Sequence, residues 1–144
     1  MIERIRRLLG WSSEADTRPD HLKTGDWGEE VAARFLKKAG YKILGRNVRF
    51  GKREELDIVM RNDKVLIFVE VKTRASDTTR PAAAVNRAKR QALRRAAKTY
   101  MSRLNNRQGL IYRFDIVEVV GTPAIEGEPV VRHLKRAFHI GDRD

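Results

Sequence analysis

Apolar residues recur at helical spacing early in the chain. Val31, Ala32, Phe35, Leu36 and Ala39 stand one, three or four apart, the period of a helix with one buried face. Thr24 or Asp26 can cap this helix, and Glu29 and Glu30 fall in its first turns, where carboxylates suit the helix dipole. Gly40 supplies the stop signal. The pattern then changes to that of strands. Tyr41 to Phe50 reads as a strand with a bulge at Gly45. After a loop at Gly51 to Glu54, Leu56 to Met60 and Val65 to Val71 read as two more, joined by a turn at Arg61, Asn62 and Asp63. Val65 to Val71 is almost continuously apolar, which implies burial on both faces and a central place in the sheet. Ser76 to Pro81 reads as a loop and Ala82 to Leu104 as a long helix. Its inward face is Ala88, Ala92, Leu93, Ala96, Tyr100 and Leu104, while Arg87, Arg90, Arg94 and Lys98 line another face. Tyr112 to Val120 is the last core strand. Beyond turn-rich Thr122 to Glu128, Val130 to Ile140 adds a short strand or a helix. The expectation is an α/β protein of order α-β-β-β-α-β, a mixed sheet flanked by helices.

Length and charge narrow the reading. The chain has 144 residues, enough for one domain with a real core. Residues 21–144 read as that domain, and residues 1–20 as a basic arm or short helix followed by a polar linker from Ser12 to Pro19. Lys and Arg number 31 against 19 Asp and Glu, a formal net charge of +12. Such an excess favours a polyanionic partner, because each cation that neutralises a phosphate releases a condensed counterion. Nucleic acid comes first and an anionic membrane surface second. There is no cysteine, which excludes disulfides, thiolate metal sites and a Cys nucleophile, and fits a reducing cytoplasm. No apolar run approaches the roughly 20 residues of a membrane span.

The chemistry concentrates in Glu55-Leu56-Asp57 and Val69-Glu70-Val71-Lys72. Strand side chains alternate, so Glu70 and Lys72 share a face. A hairpin turning at Asn62-Asp63 brings Asp57 opposite Phe68 or Glu70, and even-offset registers place it on the face of Glu70. Two close carboxylates raise each other's pKa unless a cation neutralises them. Hard oxygen ligands suit Mg²⁺ or Mn²⁺. Such an ion polarises a phosphoryl oxygen and acidifies bound water, and Lys72 can offset transition-state charge. A plainer reading stays open: Asp57 solvating a strand edge, Glu70 and Lys72 forming a same-face ion pair. Lys and Glu inside an apolar strand nonetheless need a reason.

Asp57 followed by Glu70-Val71-Lys72 resembles the PD-(D/E)XK nuclease signature. A wider ordered set, Gly28-Glu29, Gly40-Tyr41, Arg46-Asn47, Glu55-Leu56-Asp57, Phe68 to Arg74, Ala84-Val85 with Lys89, Arg113-Phe114-Asp115 and His133 to Phe138, resembles the bacterial YraN-like family. That family is similar in fold to restriction endonucleases and archaeal Holliday-junction resolvases. The resemblance implies a restriction-endonuclease-like core, with Asp57 and Glu70 as metal ligands and Lys72 as the catalytic lysine. It makes Glu29 an additional catalytic acid, against the simpler reading that a helix N-terminus favours a Glu there. It further implies a Mg²⁺- or Mn²⁺-dependent endonuclease acting on DNA, including branched DNA. Junctions offer two symmetric cuts, so a homodimer is implied too. The chain departs from the family pattern at Glu54, where a Gly is usual, and at Thr79-Arg80, where an aromatic-Gly pair is usual.

From Thr78 to Phe114 ten Lys and Arg occur with no acidic residue. A single-sign helix repels itself, which suggests an anionic partner along Arg87, Lys89, Arg90 and Arg94, with Arg74 where a scissile phosphate would approach. His21, His133 and His139 lack metal-ligand spacing, and Trp11 and Trp27 read as packing residues. Two functional classes follow: a metal-dependent nuclease, or a non-catalytic nucleic-acid-binding module that keeps the nuclease fold.

Overall fold

A computed structural model describes residues 20–75, 85–106, 108–123 and 127–138. The elements run α1 (Asp20–Lys38), β1 (Lys42–Phe50), β2 (Glu54–Asn62), β3 (Val65–Arg74), α2 (Arg87–Ser102), β4 (Ile111–Val120) and β5 (Val130–Phe138). The order expected from the sequence is present, and the segment left open at the end is a fifth strand. The basic arm and linker expected before the domain, and the loop after Ala75, lie outside the described residues.

Two helix starts differ from expectation. α1 begins at Asp20, so Thr24 and Asp26 lie inside the helix and not at its start. α2 begins at Arg87, because Asn86 is extended (φ −70°, ψ 164°) and its side chain caps the helix, accepting from the Lys89 amide at 2.9 Å. An Asn oxygen satisfying a first-turn amide is a strong N-terminal signal, and it stands four residues after the start that apolar periodicity suggested. Ala88, expected to face inward, is exposed. Leu93, Ala96 and Ala97 form the buried stripe.

The sheet order is β1-β2-β3-β4-β5, with β3 and β4 parallel and all other neighbours antiparallel. β3 is central, as its apolar run requires. Antiparallel β2 and β3 are joined by a tight turn in which Asp63 takes a left-handed conformation (φ 52°). Parallel β3 and β4 need a crossover, and α2 lies on it. The expected bulge in β1 lies between Ile43 and Gly45.

Each face of the sheet has its own core. Leu66 and Phe68 of β3 pack with Phe114, Ile116, Leu93, Ala96 and Ala97 beneath α2. Ile67 and Val69 pack with Val117, Val119, Val31, Ala32, Ala33 and Leu36 beneath α1. Alternation therefore places Glu70, Lys72, Arg74 and Glu118 on the α2 face, and Thr73 and Asp115 on the α1 face. Among the described residues no helix is long and apolar enough to cross a membrane.

One irregularity prepares the site. β2 pairs with β3 only as far as Ile58↔Val69, whereas β3 continues beside β4 to Arg74↔Val120, and β2 stays on β1 to Glu54. The two strands of the hairpin thus part company from Asp57 and Glu70 onward. Alternation also breaks there: Leu56 packs beneath α2, but Ile58, two residues on, packs beneath α1.

Candidate active site

Where β2 leaves β3, backbone donors of β3 lose their ladder partners. The Asp57 carboxylate takes up one of them, with Oδ2 accepting from the Val71 amide at 2.9 Å. Continued by one step, the hairpin register sets Asp57 opposite Glu70. Glu70 is only 7% exposed, and its Oε2 is buried without a hydrogen-bond partner. Its Oε1 lies 3.6 Å from Lys89 Nζ, a contact too long for a hydrogen bond. Burial and then the charge of Asp57 push the Glu70 carboxyl up to about 8, against weaker lowering by Lys89 and Lys72. Asp57 is raised as well, chiefly by burial, although the Val71 amide pulls the other way. The two acids share one desolvated place that favours at most one negative charge.

Glu29 reaches this place from the opposite helix. With α1 starting at Asp20, Glu29 is mid-helix. The dipole effect fades beyond the first turn, so it does not explain the residue. Its place beside Asp57 and Asn47 does. A Cβ on Gly28 would fall 1.9 Å from Thr73 Oγ1, so only glycine lets α1 lie this close to the strand carrying Lys72. Burial first, and Asp57 second, raise the Glu29 carboxyl to about 7, while an Asn47 hydrogen bond moderates the shift. Asn47 adopts a left-handed backbone (φ 49°) to present its side chain, a conformation Asn tolerates better than most residues. Asn47 stood in the sequence only as half of a dipeptide in a family pattern. Its role becomes visible once β1 is placed beside α1.

The predicted basic residues divide. Arg87 is exposed on the first turn of α2. Lys89 faces Glu70. Arg90 Nη1 donates to the Val85 carbonyl at 2.7 Å and so braces the entry to α2. Arg94 is buried, its guanidinium 5.7 Å from the centre of the Phe138 ring, and does not share an outer face with Arg87. The helix's single-sign charge is also less isolated than its own sequence implies. Arg95 pairs with Glu54 of β2 at 3.2 Å, and Lys89 with Glu70 of β3. Arg74 is held by Glu118, a buried carboxylate on β4 that Arg132 of β5 also approaches at 3.7 Å. Glu118 and Arg132 were not picked out from the sequence, because neither belongs to a local motif.

A second buried acid lies on the α1 face. Asp115 is completely buried and accepts from Arg113 Nε at 3.0 Å, the Arg136 amide at 3.0 Å and His133 Nε2 at 2.7 Å. Burial would raise its pKa. The bonds from His133, Arg136 and Arg113 outweigh that and hold the carboxyl below the usual Asp range. His133, which lacks metal-ligand spacing in the sequence, is a structural partner here.

The arrangement around Asp57 is a desolvated acid pair with an adjoining ammonium and a third acid from another helix. Among the described residues no three His, Cys, Asp or Glu side chains converge closely enough to enclose a metal by themselves. The model of the uncharacterised protein family UPF0102 matches residues 28–119, from the glycine beside Glu29 to the residue after Glu118. A UPF0102 protein of Symbiobacterium thermophilum is 42% identical over 118 residues, covering 81% of this chain and 97% of the relative. One of Koribacter versatilis is 42% identical over 135 residues, covering 92% and 90%. One of Syntrophotalea carbinolica is 46% identical over 122 residues, covering 83% and 94%. The matched span holds all four acidic and lysine positions of the site, and the chain belongs to family UPF0102.

Proposed function

We propose that this chain is a divalent-cation-dependent phosphodiesterase acting on DNA, built on a restriction-endonuclease-like core. One observation carries the reading. Glu70 places a carboxylate oxygen in a buried position with no hydrogen-bond partner, opposite a second acid. An unsatisfied buried acceptor costs roughly 1–3 kcal/mol, and a cation would remove that cost together with the repulsion from Asp57. Two carboxylates without a closed cage suit Mg²⁺ or Mn²⁺, which keep several waters and use substrate phosphates as ligands. Asp57 and Glu70 would hold the ion. When bound, it supplies Lewis acidity toward a phosphoryl oxygen and a more acidic water. The site's place at the end of a β2–β3 hairpin, followed by a crossover helix and a parallel strand, supports the fold assignment.

The chain's own groups complete the chemistry. Lys72, on the face of Glu70, offsets negative charge that builds on the phosphoryl oxygens during attack. Glu29, with a carboxyl near 7, is ionised in part of the population at neutral pH and suits accepting a proton from the attacking water. A homodimer would serve a branched substrate with two symmetric cuts.

The test is cleavage of labelled linear, single-stranded, flapped and four-way-junction DNA with Mg²⁺, Mn²⁺ or chelator. Metal-dependent cutting should fall at least about 100-fold in Asp57→Ala, Glu70→Ala and Lys72→Ala. Equal cutting by these variants would show that the site lies elsewhere. DNA binding with no cutting in any metal would mark the chain as a binding module that keeps the fold.

A further inference from the structure

We infer that the β1–β2 hairpin is an arm that holds DNA beside the cut, with Lys52 and Arg53 at its tip contacting the phosphate backbone. The inference rests on the reading of the Asp57–Glu70 site as one that acts on DNA, and it adds a binding surface outside that site.

The sheet divides at the two acids. β2 pairs with β3 only as far as Ile58↔Val69. From Asp57 back to Glu54, β2 keeps β1 alone as its partner among the described residues, while β3 runs on beside β4 to Arg74↔Val120. The β1–β2 ribbon is therefore one limb of a fork and β3 with β4 is the other. Asp57 and Glu70 lie where the limbs meet, and Lys72 stands on the second limb. The tip of the first limb is Gly51-Lys52-Arg53, enclosed by the last pair, Phe50↔Glu54. Gly51 is left-handed (φ 66°), which lets the chain reverse in so few residues. From Arg53 to Asp57 is about 13 Å along an extended strand. That is the length of about four nucleotide steps, at roughly 3.4 Å of duplex axis each. A strand seated at the acids reaches the tip within its next few phosphates.

Charge and anchoring single this tip out. Gly51, Lys52 and Arg53 are all exposed. The acids at the base of the tip are already engaged, Glu54 by Arg95 of α2 at 3.2 Å and Glu55 by Arg49 of β1 at 3.4 Å. Among the described residues Lys52 and Arg53 have no ion-pair partner, so both charges face outward uncompensated. A Lys-Arg pair on a turn is by itself only a solvated surface. Here the turn is anchored. Phe50 packs against the core beneath α2, and the Arg103 guanidinium lies 4.7 Å from the centre of its ring. With Arg95 on Glu54, α2 holds both strands of the ribbon next to the tip. An anchored backbone leaves less freedom to lose when the cations meet phosphates. The β2–β3 turn offers the contrast. Arg61 and Lys64 are exposed there too, but Asp63 stands between them and the turn is at the far end of the sheet from Asp57 and Glu70.

The experiment is binding of fluorescein-labelled duplex and four-way-junction DNA in chelator, as a function of salt, to wild type and two double variants, Lys52→Gln with Arg53→Gln and Arg61→Gln with Lys64→Gln. Measured without metal, it is independent of cutting. In the first double variant the affinity should fall about tenfold, and the slope of log affinity against log salt should shrink by about two counterions. Melting temperature should stay near the wild-type value, because both side chains are exposed. The second double variant removes the same charge from the far turn and should keep the wild-type slope, with affinity within about twofold. Unchanged affinity and slope in the first, with wild type binding normally, would overturn the arm and leave the Asp57–Glu70 reading standing. Equal losses in the two double variants would also overturn it, in favour of a diffuse attraction by the net charge. Wild type that does not bind DNA would overturn both.

Discussion

Asp115 and Glu70 are buried acids on opposite faces of one sheet, and each lies where a strand ladder is interrupted. β5 gains extra residues against β4 between Phe114 and Ile116, and Arg136, left-handed at φ 55°, turns its amide onto Asp115. β2 leaves β3 beyond Ile58, and Asp57, the partner of Glu70, takes the Val71 amide. The outcomes diverge because the donors do. Asp115 also receives Arg113 and His133 and is held below the ordinary Asp range. Glu70 receives a distant ammonium and a like charge, and is pushed up to about 8. Burial alone does not decide whether an acid is structural or reactive. The number of donors that meet it does, and an under-supplied buried acid is where an added cation gains most.

Removing one partner from the well-supplied acid should give the largest effect on stability. Asp115→Asn keeps the shape but leaves Arg113 and His133 facing a neutral amide. Breaking a buried pair in this way costs about 3–5 kcal/mol, a fall of roughly 10 °C or more in melting temperature for a chain of this size. Thermal and urea denaturation at neutral pH measure it. A loss under about 1 kcal/mol would mean that the Asp115 network is dispensable and the contrast with Glu70 unfounded.

Glu70→Gln should act in the opposite direction and more weakly. The folded chain keeps a proton on Glu70 up to about 8, while the ordinary Glu value is 4.5. Between these pH values the folded state binds the proton and the unfolded state releases it, so stability from this group is full below 4.5 and is lost as pH rises through 8. Gln keeps the neutral form at every pH. The variant should match wild type near pH 4.5 and exceed it by a few kcal/mol above pH 8. Mg²⁺ should close that gap by stabilising wild type alone. Melting curves from pH 5 to 9, with and without Mg²⁺, decide it. A variant less stable than wild type at pH 9 without metal would show that Glu70 is satisfied as an anion.

The two regions were unequally legible in the sequence. The Glu70-Val71-Lys72 alternation and the tight turn before it are local, so the face and the near-opposition of Asp57 followed from strand geometry. The central place of β3 followed from its unbroken apolar run. Asp115 was invisible as a centre, since His133 and Tyr41, the neighbour of Arg113, come from 18 and about 70 residues away. A bulge in β5 offsets the register that would have aligned them. Arg94 misled for a related reason. Helical spacing sets its angle around α2, but only the presence of Phe138 on β5 shows that this angle points inward. Glu29 was picked out as a candidate by resemblance, while its simpler explanation depended on a helix start placed several residues too late.

The smallest expected effect concerns Lys89, the weak counterpart of the donors around Asp115. Its ammonium is 3.6 Å from Glu70 and its side chain is 41% exposed, so solvent screens the attraction heavily. Its position is set by Asn86, whose cap fixes the first turn of α2. Lys89→Met keeps the aliphatic stem and removes the charge. Because Lys89 lowers the Glu70 carboxyl, its loss should raise that group further, by less than about one pH unit, with global stability changed by under about 1 kcal/mol. Carboxyl-detected NMR titration of the metal-free protein reads the shift directly. An upward move would show that Lys89 partly fills the place a divalent cation would take, so that cation binding and the Lys89 contact compete. A Glu70 titration that does not move would mean that burial and Asp57, through its charge and the hydrogen bond the two carboxyls share, set its proton affinity without Lys89.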